Sequence, residues 1–496
     1  MGFGDLWLLR DGQKTLTLKH QTFSALRWTT FAMVGKSGLQ FAQMVVLARL
    51  LAPADFGLMA MVLATMAFVQ VFADLGVSNA IIHHQNISPN QMSSLYWLSV
   101  VVGAGLMLAL MAFSGGLGAL MFNRPDLQPI LISISASILA VAAGQQLKVM
   151  AEKSLRFAIL AKIEIAAALA GFIAAICWAW ISPSVYALVA GVLTNGVVQT
   201  LLLWLLAADG WRPALRLRLS EIRPFLKFGG YIMANNLINS FNAQADVLIA
   251  GRLFPAATLG VYSLPRSLSL NVAGAINPVI TRVGLPVMAK AQHDRAFLKS
   301  IYLKTMRMTA SINFPIYIAL AVFSEEAVLL IFGSKWIESA PLLTYLAIWG
   351  MLRSCGNPVG SLLLAVGRAD LQFKWNLALL FAVTPALWAG ATFGIAGLAI
   401  AQTALMASLL MPTWYFLVWP FCGARAAEYA QTMLGPMVAA LLAVSLACFA
   451  VSSLSEALWR LFGAVLVAVP AYLLLSYVFN REWLLAVRQL IFVNEK

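Results

Sequence analysis

Three cationic side chains lie within long apolar runs of this 496-residue sequence, where charges are rare: Lys36, Arg266 and Arg353. A charge at the centre of a membrane-spanning helix costs about 2.5–3.5 kcal/mol on insertion scales, so such residues usually face an interior cavity. Cationic groups in a cavity bind anions, and a guanidinium group can hold phosphate oxygens through two hydrogen bonds. These residues therefore predict an anion-binding cavity inside a membrane, with phosphate as the favoured ligand chemistry.

Polar residues accompany these cations at helical spacing, which places them on shared helix faces. A ridge of five residues with spacings of four, four, three and four runs from Tyr231 to Asp246. Asp246 is the acidic residue of the set, so the predicted cavity is net positive, and Asp246 is the candidate for coupling to an ion. The candidate substrate-binding residues are Lys36, Gln40, Gln43, Asn235, Asn239, Asn242, Arg266, Trp349, Arg353 and Asn357. The alternative is that the polar stripes bond neighbouring helices to one another.

The sequence offers little for an enzyme. Gly35, Lys36 and Ser37 imitate the end of a Walker A loop, but Thr30 takes the place of the leading glycine and the segment lies within a span. The four histidines form no HExxH motif and the four cysteines no CxxC motif. We therefore predict no catalytic residue, metal site or cofactor.

Composition fixes the broad class. The chain is 61% hydrophobic and 10% charged, against about 25% charged in soluble domains. A bilayer accommodates so much apolar surface, because each helix of about 20 apolar residues satisfies its own backbone hydrogen bonds. The sequence predicts an all-α integral membrane protein. The net charge of +14 belongs mainly to its loops, so no nucleic acid partner is expected.

Fourteen apolar runs are long enough to span a membrane, and they divide the chain into five parts. The runs fall at about 25–49, 56–74, 94–117, 127–149, 157–181, 184–207, 228–251, 258–282, 307–332, 341–366, 372–393, 395–418, 431–453 and 458–479. The predicted parts are a lead along the membrane surface (1–24), a six-span lobe (25–207), a basic linker (208–227), a second six-span lobe (228–418), and two final spans with the C-terminus (419–496).

Lysine and arginine are concentrated in alternate loops, of which the linker at 212–227 and the loop at 282–307 are the richest. Loops with this excess usually face the cytoplasm. The distribution therefore predicts that both termini are cytoplasmic.

An internal repeat supports two related halves. Arg49 to Gly57 reads RLLAPADFG, and Arg252 to Gly260 reads RLFPAATLG, with the same distance from arginine to glycine. Six predicted spans separate the copies, so both have the same membrane orientation. This arrangement indicates halves related by an axis along the membrane normal, with a cavity where they meet.

The stretch from Ala48 to Ile82, its FADLG at 72–76 and the second-half LGVYSLPRSL at 259–268 resemble the Wzx-type polysaccharide flippases of the MOP exporter superfamily, in the subgroup of colanic-acid exporters. The resemblance in span number and spacing covers nearly the whole chain. It implies a MATE-like fold and alternating access. It also implies flipping of an undecaprenyl-diphosphate-linked oligosaccharide across the bacterial inner membrane, for exopolysaccharide, O-antigen or capsule synthesis.

For the site, the resemblance implies that Lys36, Arg266 and Arg353 hold the diphosphate while the lipid tail stays among membrane lipids. H⁺ or Na⁺ is the implied coupling ion, and polysaccharide polymerase or export machinery the implied partner. Lys36 and Gln43 stand where lipid II flippases have arginines, which argues against lipid II as substrate. Two alternatives stay open: a small-molecule antiporter of the same superfamily, and a membrane polysaccharide polymerase or ligase.

Overall fold

A computed structural model describes residues 28, 29, 31–84 and 87–485. Within these ranges the regular structure is helical, with no β-strand. The lead predicted along the membrane surface lies outside the described residues. The helices are α1 Phe31–Leu50, α2 Pro53–Asp74, α3 Val77–His83, α4 Pro89–Phe122, α5 Leu127–Lys153, α6 Phe157–Ile181, α7 Val185–Leu206, α8 Leu219–Leu253, α9 Ala256–Lys290, α10 Arg295–Val322, α11 Ser324–Ile331, α12 Ala340–Ser354, α13 Gly356–Ala365, α14 Ala369–Ala391, α15 Gly394–Ser408, α16 Leu410–Thr413, α17 Trp419–Cys422, α18 Ala426–Ala450 and α19 Ala457–Phe479.

Over its described residues, each of the fourteen predicted spans falls on one of these helices or on a run of consecutive helical segments. Residues 25–27 and 30 of the first predicted span lie outside the described residues. By length and composition alone, nine helical segments of the described chain can cross a membrane. A tenth is α10 with α11, which meet at an angle of 86°. The other predicted spans coincide with α8, α9, α12 with α13, and α14. Two of these, α8 and α9, are less apolar because they carry the polar ridge and Arg266.

Two helix breaks have local causes. α12 ends at Ser354 and α13 begins at Gly356, because Pro358 has no N–H to continue the hydrogen-bond ladder and restricts the residue before it. A short π-helix, Trp414–Val418, precedes Pro420, whose ring likewise interrupts regular α-helical bonding. The first break lies directly after Arg353, so that arginine sits in the last turn of a helix.

The chain divides into two compact units. The first unit contains the described residues up to Leu51 together with Met61–Ser240, and the second contains Ala52–Ala60 with the described residues from Phe241 onward. In the first unit α5, α6 and α7 pack together, and α6 approaches α7 closely at two glycines. A Cβ atom on Gly171 would lie 2.7 Å from the Gly191 carbonyl oxygen, so small residues permit this contact.

In the second unit α10 is the central helix and packs against α9, α12 and α18, while α19 packs on α18. Its core consists mainly of large apolar and aromatic side chains. They include Phe314, Tyr302, Met306, Leu362 and Tyr429. Burial of such a side chain stabilises the bundle by about 1.5–3 kcal/mol when the side chain would otherwise be in water. When it would otherwise contact lipid, the stabilisation comes from dense packing against neighbouring helices.

The two copies of the repeat motif contact each other reciprocally in the second unit. A Cβ on Gly57 would lie 1.8 Å from the carbonyl oxygen of Ala256, and a Cβ on Gly260 would lie 1.8 Å from that of Pro53. Only glycine fits at either position, since any side chain would overlap the facing backbone. The two motifs therefore make equivalent contacts with each other.

Candidate functional site

A buried ion pair joins α8 to α9 in the second unit. Arg266 reaches both carboxylate oxygens of Asp246: Nε lies close to Oδ2, and Nη2 is 3.0 Å from Oδ1. Nη2 also donates to the Ala243 carbonyl oxygen at 2.6 Å. Asp246 is 2% exposed and Arg266 is 8% exposed. Charges this deep are tolerated when they are paired and hydrogen-bonded, so each residue neutralises the other.

Two further side chains complete the surroundings of Asp246. The Tyr262 hydroxyl lies 2.7 Å from Asp246 Oδ2 and 2.6 Å from Gln402 Oε1, and its single hydrogen can serve one of these oxygens at a time. Gln402 Nε2 lies 3.4 Å from the same Oδ2. The sequence predictions missed both residues. Tyr262 could have been found, because it lies four residues before Arg266 and so on the same face of α9.

Arg353 has very different surroundings in the last turn of α12. Its side chain is exposed and stacks over the buried indole of Trp349, with 5.3 Å between the guanidinium carbon and the ring centroid. The cation–π contact favours the charge, as does the carboxyl end of the helix. Within the described ranges no hydrogen bond or ion pair of Arg353 is found, so its N–H groups are available to an anion.

Tyr317 of α10 connects the faces that carry the two arginines. Its hydroxyl donates to the Ser269 carbonyl oxygen of α9 at 2.5 Å, and its ring lies where a Cβ on Gly350 of α12 would stand, 2.6 Å from Cε1. Ser269 follows Arg266 by three residues, and Gly350 precedes Arg353 by three. Because residues three apart share a helix face, α9 and α12 bring these arginines to the same region of the second unit.

Lys36, Gln40 and Gln43 belong to α1 in the first unit. Lys36 is half-buried, and among the described residues it has no hydrogen-bond or ion-pair partner. Gln40 is exposed. The Gln43 amide packs over Gly191 of α7, where a Cβ would lie 3.0 Å from Nε2. Lys36 thus resembles Arg353 in having no counter-ion among the described residues of its own unit.

The residues of the polar ridge of α8 differ in their hydrogen bonding and exposure. Asn242 donates from Nδ2 to the Asn376 carbonyl oxygen at 2.7 Å, a contact that bonds α8 to α14. The Oδ1 atoms of Asn235 and Asn242 are buried without a hydrogen-bond partner among the described residues, and such atoms usually have water or a ligand as a partner. Asn239 and Asn357 are exposed.

The second unit therefore brings together Asn242, Asp246, Arg266, Trp349 and Arg353. Five of the predicted substrate-binding residues belong to the first unit: Lys36, Gln40, Gln43, Asn235 and Asn239. The convergence of Lys36, Arg266 and Arg353 on one cavity stays a prediction. Over the described part of the chain, no group of three or more His, Cys, Asp or Glu side chains could hold a metal ion.

The sequence matches a protein family described as "Polysaccharide biosynthesis protein" over residues 46–341. The chain belongs to this family. Its relatives include the lipopolysaccharide biosynthesis protein WzxC of Escherichia coli, 33% identical over 415 residues that cover 84% of each chain. The teichuronic acid biosynthesis protein TuaB of Bacillus subtilis is 29% identical over 81% of this chain and 80% of its own. These relatives confirm the resemblance to Wzx-type flippases.

Solved structures share the fold. The lipid II flippase MurJ, in an inward closed conformation, is 13% identical with a TM-score of 0.74 over 91% of this chain and 98% of its own. An inward-facing multidrug resistance MATE transporter of the MOP superfamily is 14% identical with a TM-score of 0.57 over 77% and 94%. The family member described here therefore has the MOP-type fold that its sequence predicts, and it is a multi-pass membrane protein.

Proposed function

We propose that this protein is a flippase that moves an undecaprenyl-diphosphate-linked oligosaccharide repeat unit across the bacterial inner membrane by alternating access. The observation that carries the proposal is the extended similarity to WzxC, a lipopolysaccharide biosynthesis protein. The fold shared with MurJ, a lipid II flippase, supports a lipid-linked substrate. In this proposal the chain transports a substrate for polysaccharide synthesis and has no catalytic role.

The two arginines of the second unit suggest how a diphosphate is held. Arg353 offers guanidinium donors that the described protein leaves unused, so it makes the first contact with the phosphate oxygens. Arg266 is already paired with Asp246, and a phosphate dianion competes with that carboxylate for the same donors. Exchange between two anionic partners keeps the net binding moderate, because each new contact replaces an old one. A carrier needs such moderate binding in order to release its cargo.

Competition for Arg266 also gives Asp246 a role in coupling. When the diphosphate draws Arg266 away, the buried Asp246 carboxylate loses its counter-charge and gains affinity for H⁺ or Na⁺. Binding of substrate and ion would then be linked through one arginine. Lys36, with no counter-ion in the described part of the first unit, is the third proposed phosphate contact. Trp349 and the asparagine amides are proposed to contact the sugar.

The basic loops at 212–227 and 282–307 support an orientation with both termini in the cytoplasm. In that orientation the substrate is loaded from the cytoplasmic leaflet, where lipid-linked repeat units are assembled, and released to polymerase and export machinery outside.

A liposome assay with a defined, fluorescently labelled lipid-diphosphate oligosaccharide tests the function. We expect the reconstituted chain to make the labelled headgroup accessible to an impermeant quencher or enzyme, and liposomes with Arg353→Ala protein to match empty ones. The same assay with a lipid monophosphate carrying the same glycan shows whether transport requires the diphosphate. Absence of transport by wild-type protein across H⁺ and Na⁺ gradients of either sign would contradict the proposal.

A further inference from the structure

Residues 211–219, which follow α7 and end with the first residue of α8, are here named the interfacial linker. It packs beside the beginning of α4, a helix of 34 residues and therefore about 51 Å long. The hydrocarbon core is only about 30 Å thick, so part of α4 lies outside it. Trp211 at the start of the linker stacks on Trp204 of α7, with ring centroids 6.2 Å apart, and meets Tyr96 edge-on. Such aromatic clusters are typical of the membrane interface.

Side chains of α4 hold the linker backbone in place. Trp97 Nε1 donates to the Ala214 carbonyl oxygen at 2.8 Å, and the Ala214 N–H donates to Ser93 Oγ at 3.1 Å. Further along, the Arg218 N–H donates to Ser94 Oγ at 3.3 Å. Because these hydrogen bonds to α4 fix the linker backbone, they also fix the orientation of the side chains that follow Ala214.

Apolar and cationic side chains of the linker point outward together. Leu215 is 90% exposed, Leu217 is 45% exposed and Leu219 is 57% exposed. Arg212, which precedes them, and Arg218, which lies between the last two, are also exposed. Three exposed leucines within five residues are unfavourable in water. Leucine side chains inserted among acyl chains, with guanidinium groups at the phosphate level, are the arrangement that membrane-surface segments adopt.

The arginines between residues 212 and 223 outnumber the carboxylate that pairs with them, which is Glu221 in the first turn of α8. Arg216 pairs with Glu221, and Arg218 Nη1 lies 3.8 Å from the same carboxylate. Arg212 and Arg223 are exposed and have no carboxylate partner in the part of the chain that the structure describes. Glu221 thus accompanies four arginines in this part of the sequence and pairs with two of them, and the surplus positive charge favours an anionic ligand.

We propose that the interfacial linker, together with Arg223, binds the phosphate headgroups of anionic phospholipids while its leucines insert between the acyl chains. The exposed leucines favour a lipid over an acidic protein, because a protein ligand chosen by the arginines alone would leave them in water. Juxtamembrane arginines gain free energy near anionic lipids. The linker thereby anchors the connection between α7 and α8 at the bilayer surface, whatever cargo the protein carries.

Retention of phospholipid by the purified full-length chain tests the headgroup contact. The protein is reconstituted in nanodiscs of equal parts phosphatidylcholine and phosphatidylglycerol, and the lipids that stay bound after transfer to detergent are counted by native mass spectrometry. The test variant combines Arg212→Gln, Arg218→Gln and Arg223→Gln. The control variant removes as many charges elsewhere, by Lys290→Gln, Arg425→Gln and Arg481→Gln, at residues that are also exposed.

We expect wild type and control to retain phosphatidylglycerol preferentially, and the test variant to lose that preference severalfold. All six residues are exposed, so neither variant is expected to unfold, and a thermal unfolding scan checks this. Equal preference in wild type and test variant would overturn the proposal and would favour an acidic protein as the ligand. Equal loss in test and control variants would overturn it too, because net charge alone would then explain the binding.

A dye on the linker tests the insertion of the leucines. Leu215→Cys, in a chain whose four native cysteines are replaced by serine or alanine, carries an environment-sensitive fluorophore. Quenching by lipids that bear a quencher in the acyl chain is expected in phosphatidylglycerol nanodiscs and severalfold less in phosphatidylcholine nanodiscs. Quenching only by water-soluble iodide in both would overturn the insertion.

Discussion

Two arginines on packed helices of the second unit have opposite surroundings. Arg266 is buried and bonded to Asp246 and to the Ala243 carbonyl oxygen, whereas Arg353 is exposed and rests on the Trp349 indole. The same residue type therefore has two different environments here. The Arg266 guanidinium is held by a carboxylate, whereas the Arg353 guanidinium has no hydrogen bond or ion pair within the described structure. Substitutions at the two sites should separate loss of stability from loss of transport.

The largest effect is expected from Asp246→Ala, which leaves Arg266 buried without its carboxylate. Removal of one member of a buried ion pair destabilises by about 3–5 kcal/mol, so we expect much lower thermal stability in detergent and poor yield. Asp370→Ala is the control, because Asp370 forms an exposed ion pair with Arg368 and its loss should leave stability nearly unchanged. Equal thermal stability of the two variants would show that Arg266 does not depend on Asp246.

Arg353→Ala should abolish transport and leave the protein folded. The side chain is exposed, has no hydrogen bond or ion pair within the described structure, and stacks on the Trp349 ring, so its loss should cost about 1 kcal/mol or less. Lipid-linked oligosaccharide should then accumulate in the inner leaflet of cells that depend on this protein. Arg368→Ala is a matched control, since Arg368 also stacks on an aromatic ring, that of Phe421, at 5.6 Å. Normal export by Arg353→Ala would remove Arg353 from the site.

Arg353→Lys sharpens the comparison by keeping the charge and removing the planar pair of donors. Lysine binds phosphate as a point charge without bidentate geometry. We expect an intermediate transport rate between wild type and Arg353→Ala, together with weaker substrate binding, measured in the liposome assay over a range of substrate concentrations. A rate as low as that of Arg353→Ala would mean that the fork geometry, and not the charge, is what the substrate requires.

The smallest effect is expected from Tyr262→Phe. Phenylalanine fills the same space but removes the hydroxyl that lies 2.7 Å from Asp246 Oδ2, and one hydrogen bond to a charged group contributes about 1.5–3 kcal/mol. Gln402 is near enough to replace part of it, so we expect a loss of about 1 kcal/mol, measured by denaturant unfolding, with transport retained. A loss as large as that of Asp246→Ala would mean that Tyr262, more than Arg266, holds the carboxylate.

The apolar pattern predicted the spans well, because a helix in lipid must satisfy its backbone within itself and so leaves long apolar runs in the sequence. Ion pairing was less predictable. Asp246 and Arg266 were both selected for their depth, but which cation Asp246 neutralises depends on how α8 packs on α9. Gln402 gave no local signal at all, because it lies far along the chain and meets Asp246 only in the folded bundle.

The glycine contact between the two repeat motifs has a mechanical consequence. Gly57 and Gly260 touch the facing backbone directly, so no rotamer is present that could adjust to a partial separation. A gap of about 0.5–1 Å between the two backbones would already remove a quarter to a half of the dispersion attraction between the facing atoms. The contact therefore favours one close-packed position of the two motifs over any partly separated one.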